Sequence, residues 1–206
     1  MNKAELLRYI AETGYNVGFG AKKHLATYDL LEKMPGWIGF VSTAVGILGL
    51  IIDAFSTKLV SAIFVIVGIS GLYISFYDRD KKEYEKAGSA LTSLFNELKS
   101  LYFDVKSLPD NSDVSNYQVK LHDIEKRYLP LCISKQILFS NWYAHYKFFW
   151  EHQIDWMDEQ LKFKFLRDKL PLSLIFILFI FILIIIYFQW DYITLKFMPI
   201  LLKCKV

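Results

Sequence analysis

Six ionisable side chains crowd one stretch near the C-terminal third of the chain: His145, Glu151, His152, Asp155, Asp158 and Glu159. Groups of these types can hold a metal or relay protons. The two histidines stand seven residues apart, so on a helix they share a face but lack the one-turn pairing of a helical metal site. No nucleophile, base and orienting group can be assembled from the spacing. These side chains therefore read as solvated or satisfied inside a bundle, and the chain reads as non-enzymatic, without metal or cofactor. A second candidate is GYNVGFGAKKH, where glycines and lysines together could cradle a phosphate. It lacks the G-K-[ST] ending, has no apolar strand before it, and fails the second half of G-x-G-x-x-G. Close helix packing at Gly14 and Gly18 is the better use of these glycines. Cys132 and Cys204, two cysteines far apart in the chain, offer no disulfide framework or metal spacing; Cys132, between Leu131 and Ile133, reads as a core thiol.

The elements that would carry such residues are set by hydropathy. Hydrophobic residues make up 54% of the chain and charged residues 22%, which suits a membrane protein with a substantial soluble part rather than a polytopic transporter. The formal charge of +3 is too small to imply nucleic-acid binding. From Gly36 to Phe76 the chain is apolar, broken only at Ser56-Thr57-Lys58. Each half reaches about 18 to 20 residues, roughly the length that crosses a hydrocarbon core. Only helices satisfy their own backbone in lipid, so the segment predicts an antiparallel transmembrane helical hairpin. No secretory signal precedes it, and membrane targeting falls to the hairpin itself.

Small residues line both halves. Gly39, Ser42, Gly46 and Gly49 recur at three- and four-residue steps on the first, ending at Asp53; Gly68, Gly71 and Ser75 form a shorter stripe on the second. Such faces let helix backbones approach closely in lipid. Self-packing of the hairpin is the simpler use. The other is a seam between protomers, or a pore wall partly lined by Ser42, Thr43 and Ser75. Asp53 falls at the turn, where water reaches it, and reads as a solvated turn residue.

Residues 1–35 predict an amphipathic helical segment, with apolar positions from Leu6 to Leu31 near a 3.6 period and glycines interrupting it. After the hairpin (36–76), residues 77–108 predict a helix continuing from the second span. It carries a heptad seam through Leu91, Leu94, Leu98 and Leu101, suited to a bundle or an oligomer. Phe95 and Tyr102 widen the stripe and favour a bundle. Residues 109–170 predict a loop at Pro109–Asp113, a short helix stopped by Pro130, and one aromatic-dense helical run from Ile133 to Leu170. Residues 171–206 carry a third hydrophobic helix, Leu172 to Trp190, and a short tail; a full span or an interfacial segment both fit it. The fold class is thus all-α and integral to the membrane. It combines a hairpin, a cytoplasmic helical bundle and a C-terminal hydrophobic helix. Lys22, Lys23 and Lys33 precede the hairpin, and Arg79, Lys81, Lys82 and Lys86 follow it, so the positive-inside rule puts both ends in the cytoplasm. Lys196, Lys203 and Lys205 would lie outside if the third stretch crossed.

The arrangement TGYNVGFGAKKHLATYDLLEKMPGW, two short spans, then LYISFYDRDKKEYEKAGSALTSLFNELKSLY, resembles the SLATT family of bacterial two-span membrane effector domains. The likeness covers about residues 5–108, and the third apolar stretch departs from the two-span plan. The resemblance implies a role in bacterial conflict, antiphage defence included, by opening pores in or otherwise disrupting the inner membrane. It also implies a separately encoded partner: a nucleotide-producing enzyme, a nucleotide-binding domain or a reverse transcriptase. The expected protein is a homo-oligomeric, pore-forming effector; a passive membrane tether is the alternative.

Overall fold

Asn2 and Glu5 start the first helix by exchanging hydrogen bonds: the Asn2 side chain accepts from the Glu5 amide, and the Glu5 carboxylate accepts from the Asn2 amide, both at 2.9 Å. In the computed structural model, which describes residues 1–152 and 154–203, with side chains at all of these but 188 and 190–203, this helix does not stop at the glycines. It runs as α1 from Lys3 to Gly49, with Pro35 inside it. The proline removes one intrahelical donor without ending the helix. One rod therefore joins the amphipathic segment to the first apolar segment.

The chain divides into two compact units, Met1–Lys162 and Phe163–Val206. In the first, α1 is followed by a 3-10 turn (Asp53–Phe55), α2 (Lys58–Asp78), α3 (Lys81–Ser107), α4 (Ser115–Tyr128), α5 (Ser140–Phe149) and α6 (Asp155–Leu161). The connection between the apolar helices is longer than the expected tight turn. Helix α1 ends at Gly49, so its apolar end from Gly36 spans about 21 Å, whereas the whole of α2 spans about 32 Å. Among the described residues α2 alone is long and apolar enough to cross a membrane. Thr57 caps α2 by accepting from the Val60 amide. Between α2 and α3 the helix is interrupted at Arg79–Asp80. The expected continuation of the second span into the heptad helix is thus replaced by a break, and the uninterrupted connection lies in α1.

Helices α1 and α3 pack antiparallel along the length of α3. Lys3 donates to the Leu108 carbonyl at 2.5 Å, Gly18 lies against Phe95, Gly88 against Leu25, and Lys81 pairs with Glu32 at 2.6 Å. The heptad positions Tyr84, Ala87, Leu91, Leu94, Leu98, Leu101 and Val105 are all buried within this one chain. Each fully buried leucine contributes about 1.5–3 kcal/mol. Close approach explains the glycines: a Cβ on Gly14 would stand 2.4 Å from Trp156, and one on Gly18 would stand 2.6 Å from the Phe95 ring. Helix α4 lays Leu121 and Ile124 inward and ties Arg127 to Glu97 of α3 at 2.5 Å.

The expected single helix from Ile133 to Leu170 is broken into pieces. Residues 132–138 are irregular, Phe139 adopts a left-handed backbone (φ 67°) before α5, and Lys162 does so (φ 50°) after α6. An aromatic-rich segment cannot bury rings on every side as one rod. Folding back lets Phe148 and Trp156 insert beside α1. Cys132, expected in the core, is exposed on the turn after α4.

The second unit contains a π-helical turn, Phe165–Lys169, closed by the Lys164 amide donating to Asp168 at 2.8 Å, and α7, Leu172–Lys203. Its described apolar stretch is Leu172–Tyr187. Cys204 and Lys205 lie outside the described residues, as do the side chains of Lys196 and Lys203.

Candidate functional site

The two apolar segments expose most of their surface, and their small residues divide into two groups. A Cβ on Gly39, Gly46 or Gly68 would meet no atom within 4 Å. Gly71 would touch Ile38 at 3.9 Å, and Gly49 faces the Phe55 carbonyl at 3.5 Å. Packing within the chain therefore uses Gly49 and Gly71, and Gly39, Gly46 and Gly68 are left open and exposed. Thr43 and Ser75 donate their hydroxyls to the Gly39 and Leu72 carbonyls of their own helices, at 2.9 and 2.7 Å. Ser42 is half-buried. Asp53 opens the 3-10 turn between the apolar helices and is exposed.

The base of the apolar helices is built differently. Leu31 of α1, Ile74 and Tyr77 of α2, Tyr84 of α3 and Ile137 form one buried apolar cluster, with Tyr28, Leu30, Ile38 and Ile133 packed against it. Around it lie directional contacts. The Tyr84 hydroxyl donates to the Lys135 carbonyl at 2.6 Å, and the Lys135 ammonium sits 4.4 Å above the Tyr77 ring. Thr27 donates to Gln136 at 2.5 Å. His24 lies between α1 and this segment: Nδ1 donates to the Gly20 carbonyl at 2.7 Å, and Nε2 accepts from the Ile133 amide at 2.9 Å. Accepting at Nε2 requires the neutral ring. Helices α1, α2 and α3 meet in this cluster.

Nothing in the sequence pattern placed 133–138 at this junction, because the run was expected to be helical. Helix α5 starts at Ser140 behind Phe139, whose side chain makes no cap hydrogen bond, so no local start signal marks the end of this segment.

The ionisable side chains between His145 and Glu159 do not converge. His145 stacks edge-on to Phe19 at 4.8 Å, His152 lies 5.0 Å from the Phe95 ring, and Glu159 accepts from Tyr102 and Lys106 at the far end of α3. Among the described residues no three of His, Cys, Asp and Glu stand together as metal ligands. Asp29 is shared by Lys33 and Lys147. Burial pushes its carboxyl up, but hydrogen bonds from the two ammonium groups outweigh this and leave it below the ordinary range.

Burial lowers three histidines of the bundle. His24 is held down by desolvation with Lys23 adding to it, and His145 by desolvation. His152 falls to about 4 through burial and the nearby Lys22 and Lys99. An unfolded chain protonates the same rings near pH 6.5, so below that pH it binds more protons than the native state. The stability of the bundle is therefore expected to fall as the pH drops from about 6.5 towards 4. Thermal unfolding of the detergent-solubilised chain across this window checks it. A flat melting temperature would contradict the buried neutral rings, and His152→Gln should shallow the slope.

No curated protein and no solved structure matches the chain significantly. A family model described as "SMODS and SLOG-associating 2TM effector domain 6" matches residues 1–178, which takes in the whole bundle, both apolar helices of the first unit and the start of α7. With most of its length matched, and with a helical bundle mounted on adjacent apolar helices, the chain belongs to this SLATT family of two-transmembrane effector domains.

Proposed function

We propose that this protein is a pore-forming effector of a bacterial antiphage defence system, acting without enzymatic chemistry on the inner membrane. The apolar end of α1 and the whole of α2 form the transmembrane hairpin, with Leu50–Ile52 and the 3-10 turn completing the shorter arm. The basic residues flanking the hairpin put the N-terminus and residues 77–170 in the cytoplasm.

The observation that carries this reading is the outward-facing glycine stripe at Gly39, Gly46 and Gly68, mounted on arms whose base is locked into a folded bundle. A lone hairpin built only to anchor gains nothing from small residues left unpacked. Between protomers, the same stripes let arms approach closely. Because α1 is one rod, a partner that moves its N-terminal half moves the first arm. The trigger comes from a separately encoded sensor or signalling protein, a nucleotide-signalling enzyme or a reverse transcriptase-type partner, which meets the cytoplasmic helices.

Membrane potential, followed with a voltage-sensitive dye after inducing this chain alone and with its neighbouring genes, tests the reading. Collapse with the chain alone marks an effector restrained by a partner. Collapse only with neighbours and a trigger marks an activated one. A potential that holds under every condition overturns the pore and leaves a non-conducting tether for a cytoplasmic partner.

A further inference from the structure

Ahead of α5 the chain reads Ile137-Leu138-Phe139, three large apolar residues treated in opposite ways. Ile137 is buried in the cluster at the base of the hairpin. Leu138 and Phe139 point out of it, 62% and 54% exposed. Phe139 holds φ at 67°, in the left-handed region that a bulky L residue avoids. The strain is imposed from both sides. Upstream, the Ile133 amide is fixed on His24, Gln136 on Thr27 and the Lys135 carbonyl on Tyr84; downstream, the Ser140 hydroxyl donates to the Ile137 carbonyl at 2.7 Å. The segment is thus braced in the one shape that turns two apolar side chains outward.

Its position along the hairpin says what they meet. Ile137 shares its buried cluster with Ile74 and Tyr77, which lie in the last turns of α2, about 6 Å or less from its end at Asp78. At that level the outer face of α2 still shows Leu72 and Phe76, both exposed, before Asp78 and Arg79 begin the charged link. Lys135 leans over Tyr77, and the Trp142 ring stands 5.1 Å from Phe139. Exposed Lys135 and the partly exposed Trp142, beside exposed leucine and phenylalanine, make the side-chain set of a bilayer boundary.

We propose that Leu138 and Phe139 form a wedge seated at the headgroup–acyl boundary of the bilayer, beside the base of the hairpin. The inference rests on the hairpin being inserted. It adds a second lipid contact, made by the cytoplasmic part of the chain, that fixes the junction of α1, α2 and α3 against the membrane surface.

The test uses the full chain with Cys132→Ser and Cys204→Ser, reconstituted in vesicles of phosphatidylethanolamine and phosphatidylglycerol. Single cysteines carry an environment-sensitive fluorophore: Leu138→Cys for the wedge, Ile66→Cys in mid-α2 for the hairpin, and Val119→Cys on α4 as an exposed site of the bundle. On vesicle binding the label at 138 should blue-shift, and lipids with a quencher near the head of the acyl chain should quench it. Lipids with a quencher deep in the acyl chain should quench the label at 66, and both should leave the label at 119 bright. Phe139→Gly, which relieves the backbone strain, should keep or raise the melting temperature in detergent yet reduce quenching at 138. If 66 is quenched by lipid while 138 behaves like 119, the wedge is wrong and the hairpin stands. If 138 is blue-shifted but lipid quenchers leave it bright, a protein surface covers it and the lipid assignment fails. If 66 is not quenched either, the hairpin reading itself falls and takes the wedge with it.

Discussion

Replacing Gly18 with leucine is expected to cost the bundle about 3 kcal/mol, at the upper end of overpacking penalties. Even a bare Cβ there would stand 2.6 and 2.7 Å from atoms of the Phe95 ring and 3.0 Å from Phe148. Both rings are buried, at 2% and 0% exposure, so neither can swing into solvent. Relief must come from separating α1 from α3, which loosens the contact on which the bundle is built. Gly20, two residues on, gives the opposite sign. Its Cβ would meet Tyr128 at 3.7 Å and Leu91 at 3.9 Å, ordinary contact distances. Gly20→Ala should therefore gain up to about 1 kcal/mol from helix propensity. Urea unfolding of the two variants in the same detergent, followed by far-ultraviolet circular dichroism, separates them. Equal effects at 18 and 20 would mean that Gly18 is not a close-packing site.

The second large effect is expected at Gly46 and Gly68. Leucine at both positions enters open space within the chain, so the melting temperature of the bundle should stay close to that of the parent, as for other surface substitutions. In the proposed pore, two leucines would hold neighbouring arms apart where small residues would let them approach closely. Loss of membrane conductance and toxicity with the fold intact is the expected result. Gly71→Leu is a poorer probe, because Ile38 already lies 3.9 Å from its Cβ and the hairpin base would be disturbed as well. Conductance that survives the double variant would exclude these stripes as the seam. The hydroxyls of Thr43 and Ser75, bonded to their own helix carbonyls, argue that close backbone approach matters more here than a polar lining.

Much of this was legible from patterning. The apolar run from 36 to 76, the heptad positions of α3 and the stop after Leu108 follow from local chemistry: backbone groups must be satisfied in lipid, a 3.5-residue repeat makes one buried stripe, and proline ends a helix. The resemblance to two-span effectors was carried by the same features, and the match over residues 1–178 agrees with it. What escaped was wherever a distant partner decides. Three glycines argued against one straight helix in the amphipathic segment, yet α3 and α5 pack along it and it runs on as a single rod. Aromatic density between 133 and 170 argued for one helix, yet burying those rings required a fold-back at a left-handed Phe139 that no local preference favours.

By itself, then, the sequence determined the helical class, the apolar segments and the inward face of α3, because each depends on residues a few positions apart. Only the tertiary structure decided which glycines pack and which stay open, that α1 is the rod joining the bundle to the first apolar segment, and that Ile137 joins the buried cluster at the base of the apolar helices. These depend on contacts between residues far apart in the chain, where the space beside a side chain is set by another element.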